Sequence, residues 1–293
     1  MPEAQWNMLR DRVLQKVMNI PEDEVLNHTT MLHTIPVQTT NSAIALQKVL
    51  EKLLQISHRT PAGMLDYRAI KQDNTFQFEF VPLVNQLKYF DPSILATREE
   101  RLAFWINLYN AMILHAVLAY DIKESVNEGR WGTAAFFQRT AYNIFQQRVS
   151  ADDMEHGILR ANQGQFMLPG KHFALDDARH AWVIFPMDAR MHFALHCAGK
   201  SAPLMQVYTA ETLDHQLDQA VTSFLRRETE IDGAEITLLL PNMLKWAQND
   251  LGGRDKMLEM IIKALPEEAD LLRQYFDRWK IKYKPFDWAL NQA

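Results

Sequence analysis

Cys197 is the only thiol in the 293 residues, so any nucleophilic sulfur chemistry must run through it. A cysteine nucleophile needs a base or a cation close by to release its proton, and donors to hold an oxyanion. The residues that follow, Ala198-Gly199-Lys200-Ser201, offer backbone amides and the Lys200 ammonium for those tasks. Periodicity argues the other way. On a strand over Met191–Cys197, His192, Ala194 and His196 share one face, while Met191, Phe193, Leu195 and Cys197 share the apolar one. On that geometry His192 does not reach Cys197, and a buried core thiol is the competing reading.

A second concentration of reactive types lies in Ser150-Ala-Asp-Asp-Met-Glu-His, where Ser150 reads as an N-cap with Asp153 at the N3 position. Asp152 stands four residues before His156 and shares its helix face, so it can orient the imidazole. His156 is thus the best-placed candidate for a general base, with Glu155 beside it. The plainer alternative is a structural ion pair among Asp152, His156 and Arg160. Asn107 and Asn110 interrupt an otherwise apolar helix about 60° apart and could bind a substrate carbonyl; His115 lies about 80° around from Asn107. Such amides more often tie a helix to a neighbouring loop, and His115 reads as a buried, hydrogen-bonded histidine. His192 and Arg190 are further polar candidates. Metal ligation is disfavoured: there is no HExxH and no His-x-His, and His192 and His196 on a strand would stand about 13 Å apart. Without a phosphate-cradling glycine loop or a dinucleotide fingerprint, no cofactor is implied.

The element that must position these groups is Arg98–Tyr120, a helix that is apolar almost all round after its first turn and therefore belongs inside a core. Around it the sequence predicts helices over Glu3–Met18, Ser42–Ser57 and Ala210–Arg227. Others start at Pro241 and run over Lys256–Leu265 and Glu267–Trp279. Short strands are expected at Ala181–Phe185, Met191–Cys197 and Ile236–Leu240; Phe76–Leu87 fits strand or helix. The fold class is helix-rich α+β: a buried central helix (about 98–120), a small sheet of short strands, and several surrounding helices. Residues 1–60 read as a helical N-terminal extension that packs on the body or docks a protein partner, and residues 61–293 as a single domain.

A net charge of −5 and a pI near 6.1 imply no broad nucleic-acid surface. No apolar stretch is expected to reach the roughly 18 residues of a membrane span, and charged residues stand where a signal peptide would carry its apolar run. A lone cysteine excludes an intrachain disulfide and fits a reducing compartment, so the cytoplasm is the expected location.

The run AFWINLYNAMILHAVL (Ala103–Leu118) resembles the signature helix of the domain-of-unknown-function 547 family. SADDMEHGILR (Ser150–Arg160), DARMHFALHCAGKSAP (Asp188–Pro203) and YTAETLDHQLDQAVTSFL (Tyr208–Leu225) are similar to its next blocks, and FDWALN (Phe286–Asn291) to its closing motif. The blocks keep the family's order over residues 64–293. The resemblance implies no settled reaction. Relatives joined to leucine-zipper-like, DEP or glutaredoxin modules link the family to regulatory and thiol settings by association. In that family the third block usually carries a second cysteine before the proline, where this chain has Ala202. If that cysteine were the nucleophile, this chain would be an inactive relative.

Two functional readings follow. One is a cysteine-dependent hydrolase or acyl transferase of papain- or transglutaminase-like layout, acting on a small-molecule or peptide substrate. Cys197 would be the nucleophile, His156 or His192 the base and Asp152 or Glu155 its orienter, with Asn107, Asn110, His115, Lys200 and Ser201 binding substrate. The other is a non-catalytic interaction or regulatory domain. The enzyme reading needs Cys197 within hydrogen-bonding reach of a histidine in an open cleft, and a thiol sealed among Phe and Leu side chains would remove its nucleophile.

Overall fold

A computed structural model describes residues 13, 15–28, 41–57, 63–166 and 170–293. The predicted helix over Glu3–Met18 lies mostly outside these. The fold is helix-rich α+β. In chain order the α-helices are α1 (Asn41–Ser57), α2 (Tyr67–Gln72), α3 (Val81–Gln86), α4 (Arg98–Ala119), α5 (Gly132–Arg139), α6 (Leu213–Glu228), α7 (Asn242–Ala247), α8 (Arg254–Ala264) and α9 (Ala269–Gln274). The strands are β1 (Ala141–Ile144), β2 (Gln147–Ser150), β3 (Glu230–Asp232), β4 (Thr237–Pro241) and β5 (Lys280–Lys284).

Helix α4 organises the molecule. Thr97 and Glu100 close a capping box at its start, with Glu100 N–H donating to Thr97 Oγ1 (3.1 Å) and Thr97 N–H to Glu100 Oε2 (3.0 Å). From Leu102 to Leu118 every side chain is buried. Contrary to the sequence expectation, an 18-residue window of this helix (mean hydropathy 1.5) is apolar enough for a membrane span, yet 94% of that window is buried inside the protein. Helix α1 lays Leu46, Leu50 and Leu53 into the same core. The segment read as strand or helix is helical: a π-helical turn over Thr75–Phe80 runs into α3.

The sheets are small. β1 and β2 form an antiparallel hairpin, and β3-β4-β5 a mixed sheet with β3 antiparallel and β5 parallel to β4, Leu238 opposite Ile281. A second core gathers Phe193, Phe224, Leu238, Leu240 and Ile261 around this sheet, α6 and α8. Of the expected strands only the one at Ile236–Leu240 forms. Ala181–Phe185 and Met191–Cys197 are not strands: 3₁₀ turns cover Ala178–Trp182 and Ala189–Phe193. Asp177 caps the first through Arg179 N–H and Asp188 the second through Arg190 N–H, which turns the chain before a ladder can start. The helix expected over Ala210–Arg227 starts later, at Leu213 after Thr212.

Candidate active site

The Ala189–Phe193 turn joins the two cores, with Met191 in the first and Phe193 in the second. This overturns the strand geometry that kept His192 from Cys197. Both line one cavity of about 170 Å³, together with Tyr109 of α4, Glu155 and His156, and Trp246 of α7. Phe137, Phe166, Phe286 and Trp288 complete much of its aromatic wall. Beyond Cys197 the backbone turns through Ala198 at φ +65°, a left-handed conformation that residues with a Cβ seldom adopt and that recurs at functional sites. The C-terminal segment then clamps this turn. Asn291 N–H donates to Ala198 C=O (2.8 Å), and Lys200 N–H to Ala289 C=O (2.8 Å). Gly199 permits the approach, since a Cβ there would stand 3.0 Å from Asp287 C=O.

The Ser150 cap is present: Asp153 N–H donates to Ser150 Oγ (3.0 Å) and Ser150 N–H to Asp153 Oδ2 (2.8 Å). What it opens is a π-helical segment, Asp153–Leu159, rather than a regular α-helix. Such wide turns are frequent at functional sites. Here the turn sends Glu155 and His156 together into the cavity.

His156 is already committed. Its Nδ1 accepts from Arg160 Nη1 (2.9 Å), so Nε2 carries the proton and faces Asp152 Oδ1 at 3.6 Å. Burial, then the charge of Arg160, holds it neutral, well below the usual histidine range. His192 differs. Its Nε2 pairs with Asp250 Oδ2 at 2.8 Å, and among the described residues nothing hydrogen-bonds to its Nδ1. Asp250 is held in turn by a bidentate Arg160, with Nε to Oδ2 at 2.6 Å and Nη2 to Oδ1 at 3.0 Å. The carboxylate bonded to His192 is thus Asp250, which the sequence reading did not name, while Asp152 faces His156 as expected. Nothing periodic marks Asp250 in the sequence, where it stands between α7 and the Gly252-Gly253 turn.

Cys197 is half-buried and a free thiol. Burial pushes it up to about 12, with the N–H groups of Gly199 and Cys197 pulling the other way and the Glu155 charge adding to the rise. Among the described residues no histidine hydrogen-bonds to it. Glu155 is pushed up to about 7 by burial, against the opposing charge of Arg160 and a long 3.4 Å hydrogen bond from Tyr109 Oη. Asp152 is pushed up to about 6, again by burial, and accepts from Gln138 Nε2 (2.6 Å) behind His156, outside the cavity. Among the described residues no three His, Cys, Asp or Glu converge as a metal site.

The expected substrate-binding residues are placed elsewhere. Asn107 donates to Tyr208 C=O (2.7 Å) and accepts from Tyr208 N–H (2.9 Å). Asn110 does the same to Ala194 C=O (3.0 Å) and His196 N–H (2.8 Å). Both amides tie α4 to the chain that carries His192 and Cys197. His115 bonds Tyr142 Oη through Nδ1 (2.9 Å) between the edges of Phe76 and Phe80. Lys200 is exposed and outside the cavity lining, and Ser201 Oγ accepts from Asp287 N–H (3.0 Å). The Lys200 and Ser201 amides are engaged by Ala289 and Asp287, so they are not available to an oxyanion.

Asn110→Ala leaves one backbone donor and one acceptor buried without partners, at about 1–3 kcal/mol each. A marked fall in the urea midpoint is expected, and an unchanged midpoint would refute the tie. The buried histidines also set a pH dependence. Burial lowers His115 and His196 to about 4, and His156 and His192 are lowered too. Unfolded histidines protonate near 6.5, so the unfolded chain binds more protons between about 6.5 and about 4, and stability falls as pH falls through that window. Asp152 and Glu155, raised, oppose this between about 4 and their folded values. Four groups outweigh two. The urea midpoint is expected to be lower at about pH 5 than at about pH 7; the reverse order would contradict the buried-neutral assignment.

Taken together, these features define a helix-rich α+β protein with a single-cysteine pocket at the seam of two cores. Residues 92–225 match the family model described as "Protein of unknown function, DUF547". The match takes in Tyr109, Glu155, His156, His192 and Cys197; Trp246, Asp250 and the closing Phe286–Asn291 lie outside it. No curated protein and no solved structure matches the chain.

Proposed function

We propose that the cavity is the active site of a cysteine-dependent hydrolase or acyl transferase. The observation that carries this is that Cys197 and an Asp250-paired His192, whose Nδ1 has no hydrogen-bond partner among the described residues, line one cavity. A carboxylate that holds one ring nitrogen and leaves the other for the reaction is the arrangement general-base catalysis requires.

The resting sulfur is a thiol and the resting imidazole is neutral. The proton therefore moves during attack instead of beforehand. Sγ bonds to the acyl carbon while His192 Nδ1 takes the thiol proton, and the imidazolium formed is stabilised by Asp250. The bond from the acyl carbon to the leaving oxygen or nitrogen breaks, and His192 returns the proton to that leaving group. Water, or an acceptor hydroxyl or amine, then attacks the thioester, again giving its proton to His192, and Cys197 leaves as the thiol. The N–H groups of Cys197 and Gly199, which already act on the sulfur, are the donors nearest the developing oxyanion.

The test is turnover of a panel of small esters, amides and thioesters by the full chain and by Cys197→Ala. Hydrolysis lost in the variant, with its fold intact by circular dichroism, is the expected result. Equal rates would remove the nucleophile. The second reading, a non-catalytic domain with a structural thiol, draws on the raised thiol and its lack of a histidine hydrogen bond; it would then lead.

A further inference from the structure

Glu155 has no step in that reaction, although it faces the same cavity as Cys197. Among the described residues it is the one carboxylate in the lining, and no lysine or arginine lines the cavity beside it. Its recorded hydrogen bond is the long one from Tyr109 Oη, which occupies only Oε2. Around it stand Phe137, Phe166, Trp246, Phe286 and Trp288. Phe286 and Trp288 pack with ring centroids 4.2 Å apart, and Trp246 stacks on Trp288 at 6.2 Å, so the wall is rigid and continuous. Arg160, whose charge acts on Glu155, is paired with Asp250 and lies over the Phe166 ring, 3.9 Å from its centroid.

A carboxylate among aromatic rings favours a cation. The rings attract positive charge through their faces, and the carboxylate supplies the counter-charge without which a buried ammonium would be expelled. A neutral apolar ligand would gain the walls but leave Glu155 without a partner. The volume, about 170 Å³, is close to the roughly 150 Å³ that holds a single benzene, so the group accepted is small. We propose that this cavity binds a small ammonium group, and that the acyl substrates of Cys197 carry one near the scissile carbonyl. The substrate-class half of this inference rests on the acyl-transfer reading; the ammonium site does not.

The experiment titrates the full chain with choline and with its neutral isostere 3,3-dimethyl-1-butanol, following tryptophan fluorescence, and repeats both with Glu155→Gln. Choline is expected to bind at least about tenfold more tightly than the isostere, and to lose most of that advantage in Glu155→Gln. Its affinity for the unmodified protein should also fall from about pH 8 to about pH 5.5, because the cation must then displace a proton from Glu155. That arm needs no variant, and it reads Glu155 against the groups around it: Arg160 and Asp250, paired to each other; His156 and His192, kept neutral by burial; Asp152, raised to about 6 but outside the cavity; and Tyr109 and the Cys197 thiol, uncharged throughout. Equal affinity for choline and the isostere, no saturable choline binding, or choline binding indifferent to both Glu155→Gln and pH would each overturn the proposal. Choline binding in a protein that turns over no acyl substrate would sink the reaction and leave the ammonium site standing.

Discussion

Replacing His192 with alanine is expected to slow acylation of Cys197 by a small 4-nitrophenyl ester by roughly 10²–10⁴-fold, the usual contribution of a positioned general base. The size of the effect follows from the thiol. Burial pushes Cys197 up to about 12, so almost no thiolate exists near neutral pH and attack without a proton acceptor is slow. Of the two cavity histidines, His156 has Nδ1 bonded to Arg160 and its Nε2 proton directed at Asp152. Among the described residues, only His192 of these two keeps a ring nitrogen without a hydrogen-bond or ion-pair partner. Stopped-flow release of 4-nitrophenolate from the wild type, His192→Ala and His156→Ala measures this directly. A larger loss in His156→Ala than in His192→Ala would transfer the base to the wrong histidine and refute the arrangement.

Arg160→Met is expected to lower stability by about 3–5 kcal/mol, the range for breaking a buried ion pair from one side. Arg160 and Asp250 side chains are 5% and 2% exposed, so water cannot replace the lost partner. The substitution strips Asp250 of its two guanidinium bonds and leaves His156 Nδ1 and the Gly164 carbonyl without the donor that Nη1 supplies. Asp250, held down to about 2 in the folded protein chiefly by its His192 and Arg160 hydrogen bonds against the burial that raises it, has a folded value below its unfolded one of about 3.9. Its contribution to stability is therefore present above about pH 4 and lost as pH falls toward about 2; in Arg160→Met much of it is absent at every pH. Urea denaturation near neutral pH reads the loss. Lys52→Met serves as the comparison, since the Lys52–Glu79 pair is 52% and 43% exposed and is worth no more than about 1 kcal/mol. A loss in Arg160→Met no larger than in Lys52→Met would show that the network does not hold the site together.

The scaffold was legible in the sequence where a strong period met a clear boundary. The apolar run from Leu102 to Leu118 reads as a buried helix and is one. The Ser150–Asp153 reciprocal cap was also readable, but not the π-helical turn it opens, because no residue pattern separates a π turn from an α turn. Short apolar runs misled. AWVIF and MHFALHC have the composition of buried strands, and five to seven residues cannot decide between strand and turn. A usable signal was present in Asp177-Ala178-Arg179 and Asp188-Ala189-Arg190. In each the aspartate caps the turn and also pairs with the arginine, through Arg179 Nη2 at 2.8 Å and Arg190 Nη2 at 2.8 Å.

That misreading placed His192 on the face opposite Cys197, and the turn brings both to one cavity. Cys197, His192 and Glu155 could be named from residue type alone. Asp250, Trp246 and Trp288 could not, because they come from segments some 50 to 90 residues beyond Cys197, and only the fold brings the two tryptophans to the cavity and Asp250 to His192. The amides ran the other way. Asn107 and Asn110 stand out as buried polar groups, and both ends of each are engaged by backbone. A buried amide on an apolar helix needs partners first, and loop backbone met that need here.

The most direct test of the reactive thiol is the intact mass of the full chain after brief mixing with 4-nitrophenyl acetate and an acid quench. A single added acetyl group, mapped by peptide digestion to Cys197, absent in Cys197→Ser and lost on standing before the quench, is the predicted result. Acetylation confined to surface lysines, or a Cys197 adduct that forms only after unfolding in urea, would contradict it and leave the thiol a core residue.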